Sequence, residues 1–92
     1  MQTIYKYTLS PTEEQTIPMP SPARVLSVDE QRGAVCAWAL VDTDAALVPV
    51  RFRVHGTGHL VPLLDGWRFI GTVVLHAGAL VLHVWTDDGA RQ

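Results

Sequence analysis

The chain has 92 residues, enough for one domain with one core, and a chain of this size buries only about 60 to 65% of the surface its unfolded form exposes. Hydrophobic residues make up 48% and charged residues 17%, so there is more apolar material than one small core hides, and self-association as a homodimer or higher oligomer is expected. A formal net charge of −2 excludes a global field that would draw the protein to duplex nucleic acid or an anionic membrane, so any anion site must be local.

Valine, threonine and aromatic residues recur in short runs punctuated by Pro, Gly and Asp, which predicts strands rather than helices. The opening "MQTIYKYTLSPTEEQ" has no basic n-region and no apolar h-region, which argues against a secretory signal. It reads as a strand over 2–9, with Tyr5 and Tyr7 on one face and Lys6 on the other. A second strand is expected over 14–18. The following "IPMPSPAR" carries Pro18, Pro20 and Pro22, each lacking a backbone donor, and predicts an edge or a crossover.

A strand over 24–31 leads through a tight turn at Arg32-Gly33 into "AVCAWALVD", 34–42. That run is apolar on both faces, as for a central strand covered on each side by a second sheet or another subunit. Its Cys36 is the only cysteine, which excludes an intrachain disulfide and a multi-cysteine zinc site and predicts a buried, inert thiol in a reducing compartment. After a wider loop from Asp42 to Ala46, the strand over 47–55 alternates: Val48, Val50, Phe52 and Val54 point one way, and Pro49, Arg51, Arg53 and His55 the other. This is a half-buried strand with a basic outer face.

A long excursion with a turn at Asp65-Gly66 precedes strands over 69–76 and 79–86. A two-residue Ala77-Gly78 turn between them would pair His76 with Ala79 and Thr72 with His83. It would put Ile70, Thr72, Val74 and His76 on one face with Ala79, Val81, His83 and Trp85. Phe69, Val73, Leu75, Leu80, Leu82 and Val84 would then fill the core. The polar tail over 87–92 is expected to fray. The whole chain, 1–92, reads as a single all-β domain: a small antiparallel meander of about six to seven strands forming a sandwich or barrel-like sheet. No segment approaches the roughly 20 apolar residues a membrane helix needs.

The strongest candidate surface is the end of the basic strand and the turn "HGTGH". Arg51, Arg53 and His55 should stand about 6.5 to 7 Å apart along one side, a spacing suited to a phosphate-bearing ligand or an acidic protein surface. Gly56, Thr57 and Gly58 could aim backbone N–H groups at the same anion, with His59 beside them. Trp67, on the long loop, could stack on a base. The ordinary alternative is a solvated face that discourages edge pairing, a turn with two structural histidines and a tryptophan plugging the core.

No metal site is expected, because "HGTGH" lacks the helix and the glutamate of a zinc protease motif, and His76 and His83 would lie roughly 13 Å apart. Nor is a catalytic site: there is no "GxSxG" elbow and no P-loop, and Glu13-Glu14 and Asp87-Asp88 sit in terminal or loop segments and would not obviously converge on a substrate. No cofactor is implied.

Together, "QTIPMPSPARVLSV", "CAWALVD", "GTGH" and "FIGTVVLHAGALVLHVW" resemble an uncharacterised family of small proteins found mostly in bacteriophage genomes and prophages, over about Tyr5 to Trp85. The chain departs from that pattern in having Leu60 after "GTGH" and an extended "LVPLLDGW" loop. The resemblance transfers no catalytic residue. It implies a phage product in the host bacterial cytoplasm, and with it a non-enzymatic protein that counters host defence by binding a defence protein or sequestering a phosphate-bearing nucleotide signal. A structural or assembly oligomer of a phage is the alternative, and a histidine-dependent metal protein a more distant one.

Overall fold

A computed structural model describes residues 1–88 and gives seven strands: β1 (Gln2–Leu9), β2 (Glu14–Pro20), β3 (Arg24–Gln31), β4 (Ala34–Asp42), β5 (Leu47–Gly56), β6 (Arg68–Leu75) and β7 (Leu80–Thr86). They form two antiparallel sheets, ordered β1-β4-β3 and β2-β5-β7-β6, packed as a sandwich. Only β3–β4 and β6–β7 are hairpins between sequence neighbours; the chain changes sheet after β1, β2 and β4, and the long connection after β5 skips β7. A pure meander would have left one face of a single sheet bare, whereas changing sheet buries both inner faces in one core.

The inner rows are those the alternation requires. Val35, Ala37, Ala39 and Val41 of β4 share the core with Val50, Phe52 and Val54 of β5 and Val73, Leu75, Leu82 and Val84 of the last hairpin. The outward row of β4 is less covered: Cys36 is buried, whereas Trp38 and Leu40 are half-buried. The prolines of β2 are explained by its register. Glu13 C=O accepts from Val54 N–H at 3.1 Å, which fixes the odd residues of β2 as those bonded to β5. Pro18 and Pro20 therefore lie at positions whose N–H would point away from the sheet, so the ladder loses nothing and the edge loses two donors.

Two expectations about the last hairpin fail. The connection is a tight turn over His76–Gly78 with positive φ at His76, Ala77 and Gly78, so the ladder ends at Leu75↔Leu80, and His76 and Ala79 are joined by a turn hydrogen bond, Ala79 N–H to His76 C=O at 3.1 Å, and not as a strand pair. Thr72↔His83 is in register as expected. Near its start, β6 carries a bulge between Phe69 and Gly71, which adds one residue and reverses the facing. Phe69 is thereby turned outward opposite Trp85, 52% exposed, and Ile70 packs against the core instead.

The bulge serves the junction between sheets. A Cβ on Gly71 would sit 3.2 Å from Val28 Cγ2, so the edges of β3 and β6 approach each other closely there. The junction is completed by Asp88, which accepts the Val25 N–H at 2.6 Å and binds Arg68 Nη2 at 2.6 Å, while Arg68 Nη2 donates to Val25 C=O at 2.8 Å. Both edge-facing backbone groups of Val25 are thus satisfied by side chains from the other sheet. Of the tail expected to fray over 87–92, Asp87 and Asp88 are instead buried, both 2% exposed, and 89–92 lie outside the described residues.

Candidate functional site

The outer face of the four-stranded sheet gathers most of the candidate residues. Register places Glu14, Arg53, Trp85 and Phe69 in one rung across β2, β5, β7 and β6, and His55, His83 and Thr72 in the next. Trp67 lies over the two arginines of β5: the Arg51 guanidinium is 4.8 Å and that of Arg53 5.9 Å from its ring centroid. These are cation–π distances, so Trp67 caps the arginines instead of presenting that face to a base.

The arginines are not a free basic surface. Arg51 Nε donates to Asp87 at 2.6 Å and its Nη1 lies 3.6 Å from Glu14, while Arg53 Nη1 donates to Glu14 at 2.6 Å. Glu14 and Asp87 thus meet at the Arg51 guanidinium. Asp87 also accepts the Arg51 backbone N–H at 2.8 Å, and its hydrogen bond holds the guanidinium above its ordinary pKa. Arg51→Ala would take from a buried carboxylate the cation that lies 2.6 Å from it, so an Arg51/Arg53 double alanine disturbs the fold as well as the surface. Asp87 continues the odd, outward-facing positions of β7 (His83, Trp85), and extending the alternation by one residue would have revealed it.

The "HGTGH" turn is committed to the fold. His59 N–H donates to Gly56 C=O at 3.2 Å and Thr57 N–H to Val81 C=O at 3.4 Å, so one of the three amides of the expected anion nest, that of Thr57, already has a partner. Gly58 has φ 84°, the left-handed conformation this turn needs. His59 packs on Gly56, where a Cβ would meet its ring at 3.0 Å. Beside the turn is a cavity of about 250 Å³ lined by Gly56, Thr57, His59, Ala79, Leu80 and Val81. That falls short of the roughly 300 to 1,000 Å³ of a small-molecule site.

The feature the sequence does not reveal is the junction that His83 makes with Thr57. Its Nε2 is 2.7 Å from Thr57 Oγ1 and its Nδ1 2.9 Å from Thr72 Oγ1, so one imidazole joins "GTGH", "FIGT" and "LHVW". In the neutral ring one nitrogen donates and the other accepts, which suits two hydroxyls. No carboxylate orients this histidine in the bonds it makes, unlike the base of a nucleophilic triad.

His55, directly across from His83, is buried, stands edge-on to Trp85 at 5.9 Å, and accepts from Arg53 Nε at 3.2 Å. Among the described residues no group of three or more potential ligands could hold a metal ion. Desolvation holds His55 below the ordinary imidazole pKa of 6.5; Arg53 and His59 add to the depression and Glu13 opposes it. The unfolded chain therefore takes up the proton first. Stability contributed by His55 is whole above about pH 6.5 and is lost as pH falls through the folded value. The thermal midpoint should decline as pH is lowered from about 7.5 to about 5, and His55→Gln should flatten that slope; an unchanged slope assigns it elsewhere.

The family described as "Domain of unknown function (DUF7352)" matches residues 1–92. The chain belongs to that family. No activity, substrate or partner comes with membership of the DUF7352 family, and no enzyme family is indicated. No curated protein and no solved structure matches this DUF7352 domain significantly. Among its described residues no helix is long and apolar enough to cross a membrane.

Proposed function

We propose that this DUF7352 domain is a non-enzymatic binding module that contacts a protein partner through the outer face of its four-stranded sheet. The observation that carries the reading is the bulge-exposed Phe69, packed edge-on against Trp85 at 5.1 Å on a face where Val74 is also 54% exposed. Aromatic anchors with a rim of paired charges are what protein interfaces use, and the pairing of Arg51 and Arg53 with Glu14 and Asp87 removes the cationic surplus that capture of a phosphate-bearing nucleotide requires. A host defence protein as that partner, in a phage setting, rests on the family resemblance of the sequence.

The test is a pull-down from bacterial lysate with the full chain, followed by affinity measurement on the recovered protein. Phe69→Asp and Val74→Asp, both at exposed positions, should keep the fold and each weaken binding about 30-fold or more, equivalent to about 2 kcal/mol. A partner bound equally well by both variants would refute the face. Native mass spectrometry of the purified protein covers the other class: a phosphate-bearing molecule released on denaturation would replace the protein partner by nucleotide sequestration.

A further inference from the structure

The four sheet edges are not equivalent. The β2 edge is blocked by Pro18 and Pro20, and the edges of β3 and β6 close on each other through Gly71, Val28 and the Arg68–Asp88 pair. The edge of β1 has none of these devices over its eight residues, QTIYKYTL. Which backbone groups it offers follows from one bond. Thr43 N–H donates to Met1 C=O at 2.8 Å, continuing the β1–β4 ladder, so the odd residues Thr3, Tyr5, Tyr7 and Leu9 turn their backbones to β4. The N–H and C=O groups of Gln2, Ile4, Lys6 and Thr8 therefore point away from the sheet.

We propose that this edge pairs with the same edge of a second copy, the two β1 strands running antiparallel about a two-fold axis and converting two three-stranded sheets into one continuous sheet. The proposal uses a different surface from the face above. The second copy is the occupant because the strand is complementary to itself in one register. With Tyr5 opposite the partner's Tyr5, Ile4 pairs with the partner's Lys6 and Gln2 with the partner's Thr8, so all four outward residues of each strand bond, giving about eight hydrogen bonds. Moving the axis to Lys6 sets like charges directly opposite each other, and moving it to Ile4 leaves Thr8 unpaired.

Side chains agree with this register. Ile4, on the outer face, is 54% exposed, and Tyr5, on the inner face, is 42% exposed, so the second sheet does not cover the middle of β1 on the side where Tyr5 would meet its counterpart. Burying Ile4 and Tyr5 also removes part of the apolar surface that the composition leaves over.

The test is mass measurement of the full chain by size exclusion with light scattering, combined with two kinds of variant. The wild type should elute with the mass of two chains of 10.1 kDa. Lys6→Pro removes a donor that the internal ladder does not use, so it should give a folded monomer by far-UV circular dichroism. In a Cys36→Ala background, Tyr5→Cys should cross-link to a disulfide dimer on mild oxidation, since residues facing each other across a non-bonded pair have Cα atoms about 4.5 Å apart. Lys6→Cys should not, because two such residues would lie about 8 to 9 Å apart. A monomeric wild type overturns the proposal. So does a dimer indifferent to Lys6→Pro, or cross-linking through Lys6→Cys instead of Tyr5→Cys.

Discussion

Asp88→Ala should lower the thermal midpoint by roughly 10 to 20 °C, the equivalent of about 3 kcal/mol in a domain of this size. Its carboxylate accepts the backbone N–H of Val25 and binds Arg68, and both Val25 and Asp88 are buried. Alanine leaves that N–H inside the protein without its acceptor and frees Arg68 from the ion that aims it at the Val25 carbonyl. The effect exceeds that of an ordinary surface ion pair because the carboxylate is desolvated, although Arg68, with 37% side-chain exposure, recovers some solvation when released. Asp88→Asn keeps an acceptor without the charge and should fall between wild type and alanine. Differential scanning calorimetry decides the point: a shift under about 3 °C for alanine would show that Asp88 does not hold the sheets together.

That pair illustrates what the sequence makes legible. All seven strands lie where period-two alternation and Pro/Gly punctuation put them, because each strand must bury one row of side chains and each turn needs its own backbone chemistry. The order of strands does not follow from such local rules. It depends on which inner faces cover each other, and nothing within β1 says that its neighbour is β4 and not β2.

The site divides the same way. The arginine strand, the "HGTGH" turn and Trp67 were readable as neighbours along the chain, and Trp67 does lie over Arg51 and Arg53. Their partners are not, because Glu14 of β2 and Asp87, just past the end of β7, lie on either side of β5 and are brought there only by cross-strand register. Alternation puts His83 on the same face as Thr72, but its second hydroxyl, Thr57, comes from beyond the end of β5. The "GTGH" turn is accordingly better understood as the piece that carries Thr57 to His83 than as a phosphate cradle.

The two phenylalanines of the chain should respond in opposite ways to the same substitution, and the contrast tests both the core and the proposed binding face. Phe52 is fully buried on the inner row of β5, the largest side chain of the core, in a cluster whose β4 members are two alanines and two valines. With such small residues in the facing sheet, little can move in to fill its volume, so Phe52→Ala should cost about 3 to 5 kcal/mol. Domains of this kind have about 5 to 15 kcal/mol of net stability, so the variant should be partly unfolded at physiological temperature, visible as lost near-UV dichroism and a broadened or absent transition. Phe69, had it followed the simple alternation of β6, would behave the same way. Because the bulge turns it outward, Phe69→Ala should shift stability by about 1 kcal/mol or less, mostly through its lost contact with Trp85, while weakening partner binding. Equal destabilisation by the two alanines would place Phe69 back in the core and remove the anchor from the proposed face. A stable Phe69→Ala protein that no longer binds its partner would separate the residue that holds the sandwich together from the one it displays.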